Sequence, residues 1–145
     1  MLGMVPMLIY LVVYIKWPPR FLLPMKKVVE ENLKPMFSRC SIVQLLFIAF
    51  MAGFCEEIFF RWCLQGGLAH YIAGAPGTWV ALAFASVVFG LCHWVNAAYG
   101  ITTLVIGIFL GWMMIATNNW LVPAITHFVF DFVALYYIAR IQKSP

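Results

Sequence analysis

From Ser41 to Arg140 the chain is almost unbroken apolar sequence. Four stretches, 41–66, 78–96, 98–117 and 120–139, are each long enough to cross a hydrocarbon layer of about 30 Å as a helix. Lipid offers a backbone no hydrogen bonds, so every N–H and C=O must be satisfied internally, which helices do segment by segment. No ten-residue alternation of apolar and polar residues is present to suggest a β-barrel. The expected fold is an all-α integral membrane protein, a polytopic helical bundle. Composition agrees: 65% of the 145 residues are hydrophobic, 10% are charged and the mean hydropathy is +0.96. That is too little polar surface to cover a soluble domain of this length.

The first 40 residues differ from the rest. A short apolar segment (1–15) carries Pro6 and runs into "KWPPR" (16–20). It has neither a basic start nor a small-residue cleavage site, so it does not read as a signal peptide. In "MKKVVEENLKPMFSR" (25–39), Val28, Val29, Leu33 and Met36 alternate with charges, and Glu30 and Lys34 are spaced i,i+4. This pattern predicts an amphipathic helix lying in the membrane interface. Six of the nine basic residues (Lys16, Arg20, Lys26, Lys27, Lys34, Arg39) fall in this region between apolar segments. Such clustering marks a cytoplasmic loop in contact with anionic lipid, not a nucleic-acid-binding face. The location expected is a multi-pass position in a cell membrane, the inner membrane if bacterial. The glycine-rich stretch 66–77 reads as a loop and "TNN" (117–119) as a tight connection. Gly107 and Gly111 form a GxxxG, read as close helix packing within one molecule. Cys40, Cys55, Cys63 and Cys92 have no metal-binding or redox spacing and read as packing residues.

Against this background the few ionisable groups inside the apolar segments stand out. Of five acids, Glu56, Glu57 and Asp131 lie in spans, as do His93 and His127 of the three histidines; His70 is read as surface. A charge at the centre of a membrane helix costs about 2.5–3.5 kcal/mol or more, so these groups should face a polar interior and carry function. Glu57 and Arg61 share a helix face and can neutralise each other, as can His127 and Asp131. Glu56, about 100° around the helix from Glu57, lacks such a partner on its own helix. If the faces converge, Glu56, His93, His127 and Asp131 suit the activation of water for hydrolysis, with or without a metal. Other hydrolase chemistries find no support: HExxH and GxSxG are absent, and with one aspartate there is no aspartyl dyad.

Three motifs then carry a family resemblance. "EEIFFR" (56–61), "FGLCH" (89–93) and "HFVFD" (127–131) resemble the EExxxR, FxxxH and Hxxx[ND] motifs of the CPBP intramembrane proteases. This is the CAAX-protease and bacteriocin-processing family, also called Abi or Rce1-like. The resemblance covers residues 41 to 140, with the motifs in family order on separate helices. It implies a four-helix protease core over 41–140, preceded by the N-terminal region 1–40 and followed by a tail, 141–145. The family typically has further N-terminal helices, so the chain reads as a compact or truncated member.

The resemblance also implies roles. Glu56 is the expected base, and His93 helps to hold the water. His127 and Asp131 stabilise the oxyanion, or with His93 bind one divalent metal such as zinc. Glu57 and Arg61 support them. Aspartate at position 131 fits a metal slightly better than oxyanion donation, because an ionised carboxylate has no hydrogen to donate. No organic cofactor is implied. The expected function is endopeptidase cleavage of membrane-anchored or hydrophobic peptides, including prenylated CAAX-type ones. The alternative is a membrane binding or immunity protein that keeps the pocket without hydrolysis. A weaker third reading is a proton or ion carrier, since acids and histidines within a membrane also form relays.

Overall fold

A computed structural model of the chain describes residues 3–72 and 74–141. Six helices account for most of them: α1 (Met4–Lys16), α2 (23–37), α3 (Ile42–Ile72), α4 (Gly74–Cys92), α5 (Ala97–Thr117) and α6 (Leu121–Arg140). No strand occurs among the described residues. Helices α3 to α6 are long and apolar enough to span a membrane, and the chain is a multi-pass integral membrane protein. At 31 residues α3 is about 46 Å long, so it must tilt or protrude from a hydrocarbon core of about 30 Å.

The helix ends have local causes. Pro18 and Pro19 follow the last turn of α1. Ser41 starts α3 with a capping box, its hydroxyl accepting from the Gln44 backbone N–H (3.2 Å) while the Gln44 side chain accepts from the Ser41 N–H (2.7 Å). The Asn96 side chain caps α5 by accepting from the Tyr99 N–H at 2.9 Å. Asn118 closes α5 in the left-handed region (φ 49°), and the Asn119 side chain accepts from the Leu121 N–H.

The loop expected over 66–77 is largely helical instead. Gly67 takes ordinary helical angles, α3 runs to Ile72, and α4 begins at Gly74 with a positive φ of 74°. Glycine is a weak helix former, but its cost of about 1 kcal/mol is easily overridden by the surrounding helix. His70 therefore sits on an exposed helical turn.

The bundle is apolar on the outside as well as within. Val43, Phe47, Trp79, Val80, Val105 and others face outward, while Leu45, Ala49, Ala81, Ala85, Leu110 and Ala124 are buried between helices. Cys55, Cys63 and Cys92 also turn outward, so they do not fill the core as expected. Helices α4 and α5 pack closely through the glycines of α5. A Cβ on Gly107 would meet Phe89 at 3.2 Å and Ser86 at 3.4 Å, and Gly111 lies against Leu82 and Gln65. The GxxxG thus serves contacts within the molecule.

The amphipathic region forms its helix, α2, but its apolar face is partly spoken for. Val29 is buried with Leu11, Tyr14, Leu22 and Ile138, and Met25 and Leu33 pack against the same cluster. The charged face carries Lys26–Glu30 and Lys27–Glu31 pairs at 4.0 and 3.9 Å. The C-terminal end of α6 is tied to the same region, because Arg140 donates to the Ser38 and Cys40 carbonyls.

Candidate active site

The site begins with a close approach of two backbones. Within α3, residues Ala52–Glu56 and Ile58–Gly66 are wound as π-helix, a form that recurs at functional sites. Gly53, in the first π turn, lies directly against α6: a Cβ there would stand 2.5 Å from the Phe128 nitrogen and 2.6 Å from its Cα. Only glycine permits this contact. It brings Glu57 against His127, the residue preceding Phe128.

Four side chains then form a continuous chain of charge. The Arg61 Nε donates to Glu57 Oε2 at 2.7 Å, and both side chains are 0% exposed. The other oxygen of Glu57 lies 3.1 Å from His127 Nδ1. The far nitrogen, Nε2, stands 3.4 Å from Asp131 Oδ2, and this last contact is partly open, with Asp131 26% exposed. Alternating signs compensate burial along the chain. A buried carboxylate with one partner removed would be left with a large desolvation cost. The Arg61 guanidinium also lies 5.2 Å from the centre of the Phe89 ring, a cation–π contact that partly offsets two Nη atoms with no hydrogen-bond partner among the described residues.

Glu56 belongs to a separate pair. Its Oε2 stands 3.8 Å from His93 Nε2, and each side chain is 30% exposed. Nothing bonds to Glu56 Oε2 among the described residues. The other ring nitrogen of His93 lies 2.8 Å from the Phe89 carbonyl oxygen. A carbonyl only accepts, so Nδ1 carries the hydrogen, and in the neutral ring Nε2 presents a lone pair to Glu56. Glu56 is also within electrostatic reach of His127 and Asp131.

All six residues expected from the sequence are therefore gathered, with the Glu57–Arg61 and His127–Asp131 pairs as expected and one contact more, from Glu57 to His127. His127 bonds to Glu57, not to Glu56, and Glu57 joins Arg61 to the histidine as well as neutralising it. The expected metal set of His93, His127 and Asp131 is not drawn together around one point. Among the described residues no three His, Cys, Asp or Glu side chains stand close enough together to hold an ion. Each ring nitrogen of His127 also faces a carboxylate oxygen.

Two contributors escape a sequence reading. Phe89 is the shelf of the site: its ring lies 4.9 Å from Phe60, 4.6 Å from His93 and 6.1 Å from His127. Its place in "FGLCH", one helical turn before His93, is the only signal. Gln65, buried one turn beyond Arg61, donates to the Gly111 carbonyl at 3.0 Å and ties α3 to α5. A polar residue in an apolar segment is its only trace in the sequence.

No curated protein and no solved structure matches the chain. The family model of type II CAAX prenyl endopeptidase Rce1-like proteins matches residues 38–133. That span starts just before α3 and ends within α6, holding every residue of the two charge groups. By this match over most of its length, the chain belongs to the Rce1-like family of CAAX prenyl endopeptidases.

Proposed function

We propose that the chain is an intramembrane endopeptidase in which Glu56 activates water for attack on a peptide bond of a prenylated, CAAX-type substrate. The observation that carries this reading is the gap between Glu56 and His93. A carboxylate oxygen and an imidazole lone pair, both acceptors, face each other across 3.8 Å. That is too long for a direct hydrogen bond, and with Glu56 Oε2 shut off from solvent the pair must part slightly to admit a water between them. Water there gives one hydrogen to each group and keeps a lone pair free for the carbonyl carbon. Glu56 takes a proton as the C–O bond forms and returns it to the departing nitrogen as the C–N bond breaks.

The oxyanion needs a donor already in place. His127 supplies it: the Nδ1 hydrogen bond to Glu57 fixes the ring, and the Nε2 hydrogen is only loosely engaged with Asp131 at 3.4 Å. Asp131 holds the ring's outer edge until substrate arrives. Arg61 and Glu57 keep this geometry rigid from below.

The test is hydrolysis of an internally quenched farnesylated peptide by detergent-purified protein, with products identified by mass. Wild-type protein is expected to cleave it and Glu56→Gln to lose the activity while remaining folded. Wild-type turnover in Glu56→Gln would remove Glu56 from the chemistry. Because no three donor side chains among the described residues converge on one point, turnover is expected to persist in excess EDTA. Loss on chelation, restored by one equivalent of zinc, would overturn that expectation.

A further inference from the structure

Three helices of the site converge on one aromatic ring. Phe89 lies one turn before His93 on α4, and the two are tied twice: the Phe89 carbonyl oxygen accepts from His93 Nδ1 at 2.8 Å, and the rings stand 4.6 Å apart. Its other neighbours come from other helices. Phe60 of α3 meets it edge-on at 4.9 Å, His127 of α6 stands at 6.1 Å, and a Cβ on Gly107 of α5 would lie 3.2 Å from its Cδ1. Clamped in this way the ring is 2% exposed and has little freedom to turn. Among the described residues it is the one ring in contact with both histidines, which sit on different helices.

The unusual partner is Arg61. Its guanidinium is wholly buried, and Glu57 satisfies only Nε, at 2.7 Å. Nη1 and Nη2 have neither solvent contact nor a hydrogen-bond partner among the described residues. Solvent does not reach them, so their share of the charge must be met by what lies against them. The guanidinium carbon lies over the Phe89 ring at 5.2 Å, within the reach of about 6 Å of a cation–π attraction. Away from water that attraction is at its strongest, because nothing screens it.

We propose that Phe89 is a positioning residue: the negative face of its ring holds the buried end of Arg61, and the same ring sets His93 and His127 at a fixed spacing. Arg61 held here keeps Glu57 turned toward His127 Nδ1, so the oxyanion donor and the water-holding imidazole are registered against one rigid plate. The ring is then the link between the buried charge chain and the Glu56–His93 pair. Misplacing a reacting group by about 1 Å can cost on the order of 10²-fold in rate, so a modest loosening of the ring's hold is read in kcat. The inference rests on the endopeptidase reading.

The test keeps the ring and changes its charge. Mono-, di- and trifluorinated phenylalanine are placed at position 89 by nonsense suppression. Each fluorine draws electron density from the ring face and weakens its hold on a cation with little change of shape, so a ring that only packs would not respond. Cleavage of the farnesylated peptide is measured on detergent-purified protein well below the lowest Tm, with the same series at Phe60 as the control for fluorine's size. At position 89 kcat is expected to fall stepwise, by about thirtyfold with three fluorines, the span of a desolvated cation–π contact, while KM stays within about twofold. The Phe60 series should stay within about twofold in both. Phe89→Leu, which has no ring, should lose at least as much kcat as the trifluorinated protein. An equal fall in the Phe60 series overturns the proposal, as does a loss carried by KM instead of kcat. A wild type without turnover overturns the endopeptidase reading, and the positioning role falls with it. Wild-type turnover that ignores the fluorines at position 89 overturns the positioning role alone.

Discussion

Glu56 and Glu57 are neighbours in sequence and opposites in setting. Glu57 is wholly buried, with one oxygen bonded to Arg61 and the other to His127. Glu56 is 30% exposed, faces His93 across 3.8 Å, and has an oxygen with no hydrogen-bond partner among the described residues. A carboxylate held on both sides is fixed and chemically quiet. One held loosely at the edge of a polar pocket can still take up a proton. On the proposed mechanism, the two settings separate holding the fold from doing the chemistry, within a single peptide unit of one helix.

The sharpest way to break this contrast is to remove each negative charge in turn, keeping the shape of the side chain. Glu56→Gln is expected to lower turnover by about 10²–10⁴-fold, the usual contribution of a general base, with little change in Tm. Glu57→Gln leaves the buried Arg61 guanidinium uncompensated, so it should destabilise the fold by about 3–5 kcal/mol. Thermal unfolding and turnover measured on the same two preparations decide the matter. If Glu56→Gln unfolds the protein and Glu57→Gln spares it, the assignment of roles is reversed.

A smaller effect is expected where the two helices touch. Gly53→Ala would place a methyl group 2.5–2.6 Å from the Phe128 backbone, and α6 must move away to make room. Overpacking of this kind costs about 1–3 kcal/mol. The displacement should fall on the Glu57–His127 bond more than on the Glu56–His93 gap, which is made with α4. The expected signature is a lowered Tm with a loss of turnover well short of that in Glu56→Gln. An unchanged Tm would mean that the close approach is not needed to seat His127.

Much of this was legible before any coordinates. The four spans follow from run length alone, and Glu57–Arg61 and His127–Asp131 follow from helical spacing, which is local. What the sequence could not convey depends on contacts between helices. The π winding of 52–56 and 58–66 leaves no periodic trace. The seating of His127 on Glu57 depends on Gly53 meeting Phe128, residues 75 positions apart. Phe89 opens the motif "FGLCH", but nothing in the sequence says that its ring lies against Arg61, His93 and His127. The loop expected over 66–77 failed for a related reason: glycines signal freedom to turn, but nothing obliges them to use it.

The weakest link of the buried chain gives the smallest effect and the finest test of the contrast. Asp131 meets His127 at 3.4 Å and is 26% exposed, so solvent screens much of the attraction. Partly exposed pairs of this kind contribute about 0–1 kcal/mol. Asp131→Asn keeps the shape and can still meet the His127 ring through its amide oxygen. It also adds an N–H that can donate directly to an oxyanion, which the carboxylate cannot. These two effects oppose each other, and turnover is expected to stay within about fivefold of wild type, the range that 1 kcal/mol allows. A fall comparable to that in Glu56→Gln would put the Asp131 charge into the reaction itself. The division would then no longer lie between two adjacent glutamates, since the open end of the buried chain would share the chemistry of the open pair.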